Sequence, residues 1–220
     1  MIPRAKFPRS LLFLSLVLAI PACSSVYYGV MESMGYEKRD ILVERIQEGK
    51  ESQEEAKKQF QSALEQFKAL TNYSGGTLEK QYEDLKTQLE RSKARAESVH
   101  SRVRSIEKVA KDLFAEWDSE IPKINDPKLQ EDSKRLRMET EDRYNKMHAA
   151  MAKAETSMQP VVDKFEGHVL YLKHQLNAQA IASLQGKLQE IETDVGDLIR
   201  DMEKSIAEAD EFMNGIKKPS

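Results

Sequence analysis

The chain predicts an all-α fold, an elongated antiparallel helical bundle or coiled coil of about four long helices. Three observations carry this. Apolar residues recur at alternating steps of four and three over most of the chain, the spacing of a coiled-coil face. Charged residues make up 32% of the 220 residues and aromatics only 7%, with one Trp. That is too few large side chains for a thick globular core, yet enough for a narrow stripe on each of several helices. No β-type alternation of useful length occurs.

The first 22 residues are read separately, as a secretory leader. A basic head (Arg4, Lys6, Arg9) precedes an apolar run from Leu11 to Ile20, followed by Pro21-Ala22-Cys23. The run is half the length of a membrane-spanning helix, so it reads as the core of a signal peptide. Cys23 is the only cysteine in the chain. Its position resembles the lipobox of bacterial lipoproteins, in which the cysteine becomes the lipidated first residue. A thiol left free in an exported protein is a liability, and acylation accounts for a single cysteine at this site. From residue 23 to about 36 the chain reads as a tether. Tyr27, Tyr28, Met31 and Met34 lie there, either at a lipid headgroup layer or packed on the bundle end.

The first helix is expected from near Glu37 to Leu70. Its seam is Leu42, Ile46, Gly49, Gln53, Ala56, Phe60, Ala63, Phe67 and Leu70. Gly49 weakens the helix but lets a neighbouring backbone come close. Thr71 to Gly76 forms a turn signal. The second helix has the most regular pattern: Leu78, Tyr82, Leu85, Leu89, Ser92, Ala96, Val99, Val103, Ile106, Ala110, Leu113 and Trp117. Ile121-Pro122 stops it. Asp126 is placed as the N-cap of the third helix, with Pro127 at its first position.

The third seam runs through Leu129, Leu136, Met147, Met151, Ala154, Met158, Val161, Phe165, Val169, Leu172 and Leu176, with polar Ser133 and Thr140 at seam positions of its first half. Pro160 falls inside this rhythm and predicts a kink. A break between Asn177 and Ala180 makes the helix lengths match. One fourth helix then carries Leu184, Leu188, Ile191, Val195, Leu198, Met202, Ser205, Ala209, Phe212 and Ile216, closed by Gly215 and Pro219. The domain plan is therefore a leader over 1–22, a lipidated tether over 23–36, a bundle over 37–216 and a tail over 217–220. Such a thin bundle forms equally well within one chain or between chains.

No catalytic or metal chemistry is assigned. The four histidines, His100, His148, His168 and His174, lie in no metal-ligand motif. Glu97 and His100 have the Glu-x-x-His spacing of a helical di-iron site, but no second copy exists. Met147, Met151 and Met158 share a helical face that suits Cu(I) by chemistry and core packing by habit, and packing is preferred. No serine sits in a nucleophile elbow, and Gly75-Gly76 lacks the Lys and Ser or Thr of a phosphate loop. No cofactor is expected. Arg91, Lys93, Arg95, Arg102, Arg104 and Lys108 mix with Glu90, Glu97 and Glu107, the pattern of a solvated flank; an acidic partner or anionic lipid is the sharper alternative. The chain beyond the leader is more acidic than the whole, whose formal charge is −3, because the leader holds three cations and no acid. Nucleic acid is thus a poor partner.

Tyr27-Tyr28-Gly29-Val30-Met31-Glu32-Ser33-Met34-Gly35-Tyr36 and the following Glu37-Lys38-Arg39-Asp40-Ile41-Leu42-Val43 resemble the opening of a family of Gram-negative lipoproteins known only as domain of unknown function 2959. The Gly-Gly turn and the Trp117 region are similar in style. The resemblance implies a Gram-negative envelope setting and no activity, cofactor or catalytic residue. In that setting Ser24, rather than Asp, after the lipidated cysteine implies an outer-membrane lipoprotein facing the periplasm. The expected function is a non-enzymatic, lipid-anchored structural or interaction module with an envelope protein as partner. The alternative is a helical protein that binds membrane surfaces or anionic lipid.

Overall fold

The computed structural model describes residues 37–72 and 77–217. The leader, Cys23, the tether, Gly75-Gly76 and Pro219 lie outside them. Five α-helices follow in order: α1 (Lys38–Thr71), α2 (Leu78–Glu120), α3 (Pro127–His174), α4 (Ala178–Gln185) and α5 (Leu188–Lys217). A single 3-10 turn, Ile121–Lys123, joins α2 to α3. No strand occurs among the described residues.

The four long helices form a ring in which α1 packs on α2, α2 on α3, α3 on α5 and α5 on α1, while α4 leans on α1 and α3. Side-chain pairs along each boundary fix the directions. Between α1 and α2, Lys38 meets Glu116 at 2.5 Å, Ser52 meets Ser98 at 3.0 Å, and Gln66 meets Gln81 at 2.9 Å. Between α1 and α5, Lys50 reaches Asp210 at 2.7 Å and Lys68 reaches Glu192 at 3.1 Å. Numbers rise on one helix as they fall on its neighbour, so adjacent helices are antiparallel. At a rise of 1.5 Å per residue, the 48 residues of α3 span about 72 Å.

The predicted seams fill the interior. All nine seam positions of α1 are buried, from Leu42 to Leu70. Gly49 makes room for side chains rather than for the expected neighbouring backbone: a Cβ there would lie 2.7 Å from Ile106 Cδ1. On α2 the core shifts from Leu113 to Phe114, which meets Tyr144 edge-on at 5.7 Å between ring centroids, and Tyr144 meets Phe212 at 6.2 Å. A straight α-helix drifts against a seven-residue repeat, and over 43 residues the buried stripe moves by a position.

Helix ends obey local chemistry. Asp126 accepts from the backbone N–H of Lys128 at 2.8 Å and of Leu129 at 3.1 Å, satisfying two of the orphan donors that begin α3. Helix α3 is not split at Pro160, which is exposed. The carbonyl of Thr156, which loses its helical donor there, belongs to an exposed residue.

Three expectations need correction. The segment expected as one fourth helix is two helices, parted at Gly186-Lys187. Asn177 restarts the chain by accepting from Ala180 N at 3.0 Å, and Gly186 ends the resulting eight-residue α4. The last helix passes through Gly215 to Lys217; the missing Cβ makes room for the Arg143 guanidinium instead of ending the helix. Leu129 and Leu136, placed in the seam, are 60% and 43% exposed. They precede the stretch of α3 that the ring covers: α1 begins opposite Glu116, and Gly215 near the end of α5 lies against Arg143.

Candidate functional site

The chemically richest place on the described surface is a groove of about 810 Å³ between α2 and α3. Its floor holds Ala96, Met158 and Val162; Lys93, His100 and Glu155 stand on its walls. Two small residues of α2, Ala94 and Ala96, line it. His100 Nδ1 lies 2.5 Å from Glu155 Oε1, a carboxylate–imidazole pair across two helices. In such a pair the carboxylate fixes the orientation of the ring. The nearby Thr156 hydroxyl is committed to its own helix, donating toward the carbonyls of Ala152 and Lys153 at 3.0 Å each. Glu97 lines the same groove, yet no group of three metal-ligating His, Cys, Asp or Glu side chains occurs among the described residues.

The other histidines are packed or peripheral. His148 stacks on Tyr144 at 5.5 Å and His168 tilts against Phe67 at 5.4 Å. Burial holds the His168 pKa below its ordinary value, and Lys187 and Lys164 add to the effect against the opposing pull of Glu190. Burial, aided by the Glu107 charge, raises the Tyr144 pKa, so the phenol stays protonated. His174 ends α3 and is exposed. Met147, Met151 and Met158 are at most 1% exposed and belong to the core, where flexible thioethers fill gaps between four helices.

The basic stretch of α2 is divided by the fold. Lys93 bridges to Glu166 at 2.7 Å, Arg102 bridges to Glu48 at 2.7 Å, and Arg95 pairs with Glu55. These three are boundary ties to α1 and α3. Arg91, Arg104 and Lys108 point to solvent without an ion-pair partner among the described residues. No described helix is long and apolar enough to cross a membrane.

A family model described as "Protein of unknown function (DUF2959)" matches residues 27–216. The chain belongs to this family. The match opens on Tyr27, where the Tyr-Tyr stretch begins, and closes near the end of α5, so it covers the whole ring of helices. No curated protein and no solved structure matches the chain. Membership in DUF2959 brings no reaction or ligand with it. The side-chain geometry adds no assembled catalytic constellation among the described residues.

Proposed function

We propose that this DUF2959 protein is a non-enzymatic lipoprotein of the bacterial envelope, anchored through Cys23 to the outer membrane and facing the periplasm. Its helical bundle offers a surface to another envelope protein. The observation that carries this reading is the placement of the chain's one cysteine directly after a basic head and a short apolar run. The bundle supports it. Its interior is an apolar seam whose edges are tied by ion pairs between helices, an arrangement that suits a stiff scaffold.

The mechanism is geometric. Acyl chains on Cys23 fix one end, and helices of about 50 to 70 Å carry the recognition surface away from the bilayer. One acyl chain holds a protein only marginally, whereas two or more make attachment durable, at about 0.8 kcal/mol per buried methylene. The test is the state of residue 23 in cells. Mass spectrometry of the purified protein should find a peptide that begins at Cys23 with acyl chains on its sulfur. Cys23→Ala should remove that modification and release the processed protein from membranes. An unmodified thiol on the membrane-bound protein would overturn the proposal.

A further inference from the structure

The junction of α2 and α3 extends past both of its neighbours in the ring. Helix α1 starts opposite Glu116, and Gly215 near the end of α5 reaches only Arg143. Beyond these points stand the last residues of α2, the Ile121–Lys123 turn and the first turns of α3. Leu129 and Leu136 lie seven residues apart on one face, at 60% and 43% exposure. Met138, 57% exposed, falls on the opposite face at 100° per residue. The projecting tip is therefore apolar on two sides. Lys123, Lys128 and Lys134 are exposed on it without ion-pair partners among the described residues, as are Glu120 and Glu131.

We propose that this tip is a second membrane contact, with a phospholipid surface as its occupant. A protein partner covers one face of a ridge, whereas a bilayer interface surrounds whatever projects into it and takes apolar groups from opposite sides. The position fits the same occupant. Helix α1 begins at this end, so the chain coming from Cys23 enters the bundle here. Cys23 precedes Glu37 by 14 positions, a stretch that reaches about 50 Å at most. Resting on the Cys23 anchor proposed above, the tip meets its bilayer as an intramolecular event at high effective concentration, so weak partitioning suffices. The exposed Leu170 and Tyr171 are near the other end of α3 and lack this advantage.

Trp117, the only tryptophan, sits in the projecting part and donates its indole N–H to Ser133 at 3.0 Å. It is a native reporter. The test uses the chain from residue 23 with Cys23→Ser, so that no acyl group contributes, and vesicles of phosphatidylethanolamine and phosphatidylglycerol with brominated acyl chains. Brominated lipid should quench Trp117. Leu129→Glu combined with Leu136→Glu should lower vesicle partitioning at least tenfold while leaving the helical circular dichroism unchanged. If that pair of changes unfolds the chain, Leu129→Asn alone should still lower partitioning severalfold. Absence of quenching by the unsubstituted tip overturns the proposal. So does a double variant that loses self-association in sedimentation without any change toward vesicles, which would make a second copy the occupant. The acylation of Cys23 is read separately by mass, so either proposal can fail alone.

Discussion

Two polar side chains sit at the centre of the seam without partners. Gln53 on α1 and Ser205 on α5 are both 0% exposed, and neither the amide nor the hydroxyl has a hydrogen bond. By contrast, the buried hydroxyls of Thr140 and Ser92 are satisfied within their own helices: Thr140 donates to Leu136 O at 2.7 Å and Ser92 to Gln88 O at 2.9 Å. A buried amide without a partner costs about 1–3 kcal/mol of desolvation. A single polar residue in a coiled-coil seam also lowers stability while fixing register. Gln53→Leu keeps the volume and removes the cost, so it should raise the unfolding free energy by about 1–2 kcal/mol. Urea denaturation measures this directly. A lower midpoint in the variant would show that the amide has a stabilising partner in solution.

At the scale of the helix, Gly49 decides how closely α1 and α2 approach. An added Cβ would press on Ile106 Cδ1 at 2.7 Å and touch Met151 Cε at 3.6 Å. Helix propensity favours Ala over Gly by about 1 kcal/mol. Overpacking a close-packed core costs about 1–3 kcal/mol, and Ile106 is itself 0% exposed, so it has little room to yield. Gly49→Ala should therefore destabilise by about 1 kcal/mol. Ile106→Val deletes the clashing methyl, and in that background Gly49→Ala should be neutral or stabilising. A double-mutant cycle reads the coupling, and strict additivity would remove Ile106 as the reason for the glycine.

The sequence rhythm made the nine seam positions of α1 legible, because a seam buried along its whole length repeats faithfully. It misplaced Leu129 and Leu136 because periodicity marks a face without saying whether neighbouring helices reach far enough to cover it. It also missed the break at Gly186-Lys187, where Leu184 and Leu188 keep the four-residue step across two separate helices. Asn177 was the readable signal for the start of α4, since its side chain caps Ala180 N. The His100–Glu155 pair was illegible in principle, because its members are 55 residues apart and meet only through the register of α2 on α3.

Across the whole bundle, charge sorts the helices. Helix α5 supplies the acids on both of its boundaries. On one side Lys50, Lys57 and Lys68 of α1 reach Asp210, Glu203 and Glu192. On the other, Lys146, Lys153 and Lys164 of α3 reach Glu208, Asp201 and Glu190. Each pair is at the surface, where a single ion pair contributes about 0–1 kcal/mol. Their joint effect is on arrangement, since a sliding or inverted α5 would forfeit them together while the apolar seam alone tolerates a heptad shift. Replacing the three α1 lysines by Glu sets like charges along one boundary. This should cost about 1–3 kcal/mol at low salt and much less near 1 M, where the screening length falls to about 3 Å. Changing Asp210, Glu203 and Glu192 to Lys in the same chain should restore most of the loss. If the triple Glu chain unfolds at the same urea concentration as the parent at low salt, these pairs play no part in holding α5 against α1, and the seam alone sets the register.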